Sequence, residues 1–110
     1  MNKYFIYARK STDAEDRQVL SIEAQLIELR QYAKKGNLFI KDELSEAKTA
    51  KKPGRIIFNE MVRRIEHGEA NGIVAWHPDR LARNSMDGGK IIYLTDTEKL
   101  VDLRFPTYTF

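Results

Sequence analysis

Residues 3–9, Lys-Tyr-Phe-Ile-Tyr-Ala-Arg, form a run that is apolar on both sides of an extended chain: Phe5 and Tyr7 point one way, Tyr4, Ile6 and Ala8 the other. A strand without a polar face must lie inside a sheet covered above and below, and such strands belong to parallel sheets wrapped by helices. The following residues supply the wrapping. Ser21 is a good helix cap, Ile22, Leu26, Leu29 and Ala33 recur at helical spacing, and Gly36 stops that helix. Leu38 to Ile40 predict a short second strand, and residues 45–54 a flexible lysine-rich loop that ends in Pro53-Gly54. Arg55 opens a second helix, with Phe58, Met61, Val62 and Ile65 inward and Gly68 as its stop.

Gly72 to Trp76 read as a third apolar strand, and Pro78 suits the first turn of a short helix after it. A weaker helix from about Asp87 to Lys99 carries Gly88 and Gly89, at about 1 kcal/mol each. Val101, Leu103 and Phe105 alternate as a last strand. Strand and helix alternate throughout, which predicts a three-layer α/β domain. Its mostly parallel sheet of four strands, or slightly more, is flanked by helices with right-handed crossovers.

At 110 residues the chain supports one domain with a modest core. Nineteen basic residues against 16 acids give a net charge of +3, which permits a nucleic-acid partner without demanding one. The absence of cysteine excludes disulfides, thiolate zinc sites and a cysteine nucleophile, and leaves an intracellular compartment unopposed. No apolar stretch approaches the roughly 20 residues that span a bilayer, and the opening ten are too short and too soon charged for a signal peptide. A cytoplasmic protein with no membrane partner is expected. Residues 106–110 stop just after a strand, which reads as a piece of something longer.

The chemistry concentrates where apolar runs end. Arg9 and Ser11 fall on one side of the extended chain, roughly 7 Å apart at strand rise. They sit at the carboxyl end of the first strand, where open α/β sheets place ligands. The third strand ends in a second cluster, Asp79-Arg80-Leu81-Ala82-Arg83. Serine is a poor nucleophile until its proton is taken or stabilised. Ser11 lacks the flanking glycines of a nucleophile elbow, which makes a Ser-His-Asp hydrolase using His77 a weak reading. Arginine forks bind phosphate oxygens in pairs and stay charged, so Arg9, Arg80 and Arg83 converging on a phosphate would stabilise a five-coordinate transition state. Arg80 and Arg83 share a face if their segment is helical, and Arg55 could reach the same phosphate. Asp13, Glu15 and Asp16 resemble a metal cluster only superficially. Lys48, Lys51 and Lys52 are a solvated loop or a DNA-backbone contact.

Four collinear pieces, Tyr7-Ala8-Arg9-Lys10-Ser11, Leu20-Ser21-Ile22-Glu23-Ala24-Gln25, Pro53-Gly54-Arg55 and Trp76-His77-Pro78-Asp79-Arg80-Leu81-Ala82-Arg83, resemble the catalytic domain of serine recombinases. This is the resolvase/invertase group, and the long gap between Ser11 and Gln25 is most like the large integrase branch. The resemblance covers essentially the whole chain and implies a resolvase-like fold in a site-specific DNA recombinase. It implies Ser11 as the nucleophile that joins a DNA 5′ phosphate and frees a 3′ hydroxyl. Arg9, Arg80 and Arg83 are implied as phosphate ligands, Arg55 as a mobile-loop arginine completing the site, and Gln25 as a hydrogen-bonding group near the scissile phosphate. Asp79 is implied as an acid that orients the arginines or handles a proton. Asp42 or Glu43 competes for a further acidic position.

No metal and no cofactor are implied; the partners are double-stranded DNA and further copies of the chain, as dimer and tetramer. Residues 1–110 correspond to a truncated N-terminal catalytic domain in a bacterial or phage-encoded protein. The long assembly helix and the C-terminal DNA-binding domains of the family are absent from it, so the piece alone is expected to be inactive. Two competing readings are a non-catalytic DNA- or phosphate-binding module of the same fold and a metal-dependent nuclease of similar sheet architecture.

Overall fold

The computed structural model describes residues 1–10, 21–47 and 54–106. The strand with two apolar faces, β1 (Lys3–Arg9), lies inside a four-stranded, all-parallel sheet of order β2-β1-β3-β4. Its neighbours are β2 (Phe39–Glu46) and β3 (Gly72–Ala75), with β4 (Asp102–Arg104) on the far edge. Tyr4 and Ile6 face α1 (Ile22–Lys35), packing with Leu29 and Val74. Phe5 and Tyr7 face α2 (Ile56–Glu66) and α4 (Ser85–Asp96), in a larger core with Phe58, Met61, Ile65 and Leu94. The short α3 (Pro78–Leu81) follows β3 directly. The expected three-layer α/β architecture is the one observed.

Local signals explain the ends of these elements. The Ser21 hydroxyl accepts from the Ala24 amide at 3.1 Å, as an N-cap should. α1 closes at Gly36, but the left-handed residue is the next one, Asn37, at φ 54°. Gly68 plays that part after α2, at φ 82°. α4 begins two residues earlier than its sequence pattern suggests, because Asn84 caps it by accepting from the Asp87 amide.

The second strand departs most from expectation. It runs to Glu46 rather than stopping near Ile40, and takes in residues read as loop. The register with β1 slips between Tyr4 and Phe5, so that Tyr4 pairs with Ile40 and Phe5 with Asp42. Lys41 is the extra residue of a bulge, which changes the face on which every later side chain lies. Ile40 therefore packs on the α1 side and Leu44 on the α2 side. Beyond the bulge, Glu43 is held by Arg30 of α1 and Asp42 by Arg64 of α2, an arginine from each helix layer gripping the edge strand. Each guanidinium lowers the pKa of its carboxylate below the ordinary value.

Tyr4 ties the far edge to the centre. Its hydroxyl donates to Asp102 of β4 at 2.5 Å, and Arg104 donates to the same oxygen at 2.8 Å. Its ring lies against Gly72, where an added Cβ would stand 2.4 Å from Tyr4 Cδ2. Gly72→Ala is expected to destabilise the fold by about 1–3 kcal/mol through this overlap, read from denaturant midpoints. Burial alone would raise the Asp102 pKa, but the hydrogen bonds from Tyr4 and Arg104 outweigh it and hold the carboxyl below its usual value. A depressed folded pKa contributes stability above the unfolded value of about 3.9 and loses it as pH falls through the folded one. Asp102→Asn should thus be less stable than the parent at pH 7. The gap between their urea midpoints should narrow when measured below about pH 3.

Candidate functional site

Strand order fixes where a ligand can enter. The chain moves from β1 outward to β2, then returns past β1 to β3, so the crevice at the carboxyl ends of β1 and β3 is the switch point of the sheet. Arg9 ends β1 at this crevice, and α3 follows β3 there. β3 pairs with β1 only as far as Tyr7, which leaves Arg9 beyond the last strand partner on that side.

Gln25 takes up the overhang. Its side-chain Nε2 donates to the Arg9 carbonyl at 3.0 Å and its Oε1 accepts from the Arg9 amide at 3.3 Å, so the carboxamide pairs with β1 as a neighbouring strand would. The sequence places this glutamine at the edge of the α1 stripe; in the structure it is fully buried.

Arg9 is buried as well, and its Nε donates to the main-chain carbonyl of Arg80 at 3.1 Å. The Nε bond fixes the plane of the Arg9 fork next to Arg80, which is itself 5% exposed. One residue on, the Leu81 carbonyl accepts from Arg55 Nη2 at 2.6 Å. Successive carbonyls at the end of α3 are therefore each held by a buried guanidinium.

Arg55, 2% exposed, stands at the N-cap of α2 without capping it through its side chain. The capping falls to Glu46, whose carboxylate accepts from the amides of Ile57 at 2.8 Å and Phe58 at 3.0 Å. Glu46 also accepts from the Tyr7 hydroxyl at 2.7 Å, and that hydroxyl accepts from Arg55 Nη1 at 3.0 Å. Burial pushes the Tyr7 pKa far up, against the opposing pull of the Arg55 charge, so Tyr7 stays a neutral hydroxyl. The Arg55 fork closes on Asp87 at 3.1 Å and lies 4.1 Å from the Phe58 ring centroid. Arg55 Nε and Asp87 Oδ1 are buried with no hydrogen-bond partner among the described residues, though Lys90 Nζ stands 3.9 Å from that oxygen. The unfavourable meeting of Arg55 with the α2 dipole is offset by Glu46 and Asp87 together.

Of the residues singled out by sequence, the structure thus brings Arg9, Gln25, Arg55 and Arg80 into one connected cluster. Arg83 lies past the end of α3 and is exposed, so it does not share a helical face with Arg80. Ser11, Asp13, Glu15, Asp16 and the lysines at 48, 51 and 52 lie outside the described residues, as does the side chain of Asp79. Asp42 and Glu43 belong to the arginine grip on β2. His77 is half-buried beside α3, its carbonyl accepting from the Arg80 amide at 2.8 Å, whereas His67 is exposed at the far end of α2. Among the described residues no helix is long and apolar enough to cross a membrane.

Sequence reading missed Tyr7, Glu46 and Asp87 as members of this network. Asp87 carried a usable signal: Asn84-Ser85-Met86-Asp87 has a capping residue followed three positions later by an acid, and the Asn84 side chain does bond to both the amide and the carboxylate of Asp87. Glu46 carried none, because the bulge hid its strand.

Fold and site together define a parallel α/β domain with an arginine cluster built into the switch point of its sheet. The sequence matches the family described as Resolvase, N terminal domain, over residues 4–109. The chain belongs to that family. A search of curated protein sequences gave no match. Among solved structures, the N-terminal catalytic domain of TP901-1 integrase superposes with a TM-score of 0.78 at 23% identity, covering 96% of this chain and 79% of its own. The C-terminal catalytic domain of ISC1926 TnpA, an IS607-like serine recombinase, gives a TM-score of 0.75 at 19% identity over 94% of this chain and 69% of its own. A resolvase family site-specific recombinase from Streptococcus pneumoniae gives 0.74 at 24% identity, over 97% and 74%. This chain shares their fold, that of serine recombinase catalytic domains.

Gln25→Ala strips the buried Arg9 amide and carbonyl of their carboxamide partner, so a loss of about 1–3 kcal/mol in unfolding free energy is expected. A surface glutamine would change it by no more than about 0.5 kcal/mol.

Proposed function

We propose that this domain cleaves and rejoins double-stranded DNA through a covalent phosphoserine at Ser11. The hydroxyl oxygen of Ser11 attacks the scissile phosphorus, the bond from phosphorus to the 3′ oxygen breaks, and that oxygen leaves as a free 3′ hydroxyl with a proton. The DNA 5′ phosphate stays esterified to the serine. Rejoining is the reverse, with a 3′ hydroxyl displacing Ser11. One ester replaces another, so the exchange needs no external energy source; the reading assigns it no cofactor and no metal. The burden falls on stabilising the doubly charged, five-coordinate phosphorus.

The observation that carries the reading is the Arg9–Arg80 contact at the switch point: two buried arginines side by side, the first of them two residues before Ser11 in the chain. Planar forks held in a protein interior bind phosphate oxygens more strongly than the same charges in water. Arg83, exposed at the same edge, adds a third guanidinium from the solvent side. Gln25 acts through the Arg9 main chain, setting the direction in which the chain leaves β1 towards Ser11. Asp79 orients the arginines or handles a proton.

On this reading the partners are double-stranded DNA and further copies of the protein, assembled as dimer and tetramer. The setting is the cytoplasm of a bacterial cell, with the protein encoded there or by a phage. The domain is one part of a longer recombinase.

A nicked suicide substrate, offered to the intact recombinase, should trap a protein–DNA adduct that Ser11→Ala abolishes. Arg80→Lys, which keeps the charge but loses the fork, should slow its formation by roughly 100-fold. Full adduct formation in Ser11→Ala would refute the nucleophile, and DNA binding with no adduct in the parent would leave a non-catalytic module. Loss of adduct on chelating divalent metal would favour a metal-dependent nuclease instead.

A further inference from the structure

We infer that Arg55 and Asp87 are a positioning pair for strand cleavage, acting on the scissile phosphate through the Arg80 turn without touching DNA. The inference rests on the phosphoserine reading above and departs from the family resemblance, which makes Arg55 a mobile-loop group that completes the site.

Arg55 is enclosed on every side described. Nη1 donates to the Tyr7 hydroxyl at 3.0 Å, Nη2 to the Leu81 carbonyl at 2.6 Å and to Asp87 at 3.1 Å, and Phe58 packs against the guanidinium 4.1 Å away. Asp87 is fully buried. For Arg55 to reach a phosphate it would have to leave the buried Asp87 carboxylate with only the Asn84 side-chain amide and a part-exposed Lys90 ammonium 3.9 Å away, a costly way to break a buried pair.

Its reach points to α3 instead. A helix of four residues has little hold on its own geometry. The carbonyls that end it are fixed from outside, Arg80 by Arg9 and Leu81 by Arg55. Arg80 hangs from the backbone between those anchors. Asp87 in turn fixes the Arg55 fork, and Asn84 fixes Asp87 with contacts of 2.8 and 2.9 Å. On the other flank Glu46 sets the Tyr7 hydroxyl against Nη1. Thus the start of α4 and the end of β2 both hold the turn that carries Arg80.

A charge-neutral substrate separates contact from positioning. A methylphosphonate at the scissile position removes the charge that a contacting arginine neutralises, so such an arginine becomes dispensable on it. The intact recombinase, as parent, Arg55→Met, Arg55→Lys and Asp87→Asn, is assayed in single turnover on phosphodiester and methylphosphonate suicide substrates. The three variants are expected to lose roughly tenfold to hundredfold in the rate constant of adduct formation on both substrates, with the reacting fraction and DNA affinity preserved. Recovery of Arg55→Met or Arg55→Lys on the methylphosphonate would overturn the inference by revealing a direct contact. Parent-like rate constants in Asp87→Asn, or a reduced reacting fraction at an unchanged rate constant, would also overturn it, the latter because misfolding alone removes active molecules without slowing the rest. Should Arg55→Met fail to fold, Arg55→Lys and the near-isosteric Asp87→Asn carry the same decision. Absence of adduct in the parent would instead refute the phosphoserine reading.

Discussion

The site exists because β1 is longer than the strand beside it. β1 has seven residues and β3 four, and their pairing ends at Tyr7. A backbone amide and carbonyl left over in a dry interior must find partners. The carboxamide of Gln25 meets that demand for Arg9, and in doing so commits the last turn of β1 to a single course. The chain then turns from β3 into α3 beside this overhang, which is what brings Arg80 within reach of Arg9 across 71 positions of sequence.

Three guanidiniums, from Arg9, Arg55 and Arg80, with the carboxylates of Glu46 and Asp87, are an expensive set of groups to bury. Buried ion pairs often contribute no more than the apolar side chains that could replace them, since desolvation consumes most of the attraction. Stability is therefore a poor reason for this arrangement. Arg9 and Arg55 also donate to main-chain carbonyls, and Arg55 to a neutral hydroxyl, contacts that add little charge compensation but define direction. The cluster is better understood as a frame: energy that a hydrophobic core would supply more cheaply is given up for fixed orientation of the side chains at the switch point.

Much of this was legible in sequence, and the failures have local causes. The two-faced apolar run of β1, the caps at Ser21 and Gly68 and the inward stripe of α2 are determined by neighbours within a few positions, so pattern alone recovers them. β2 was cut short because the bulge at Lys41 breaks the period of two on which strand reading depends, and because an edge strand tolerates Lys41, Asp42 and Glu43 in a row. Arg83 shares a face with Arg80 only if one helix runs through both, and α3 ends at Leu81. The resemblance singles out Gln25 and Arg55, but their partners in the structure include main-chain atoms and, for Arg55, an aspartate 32 positions away. No spacing rule encodes such contacts, since they follow from which strand outruns which.

The same logic accounts for a shared fold at identities of only 19–24%. An all-parallel sheet needs apolar strands, helices with one apolar stripe and breakers between them, requirements that many sequences meet. The switch point is harder to satisfy. Filling the end of an overhanging strand takes a side chain with both a donor and an acceptor at the right height on α1, a condition met by a glutamine and by few other residues. Anchoring a four-residue helix by its final carbonyls takes long, permanently charged donors, which narrows the choice to arginine. Constraint therefore concentrates at the rim of the sheet, where backbone valences run out, while the layers that build the domain remain free to vary.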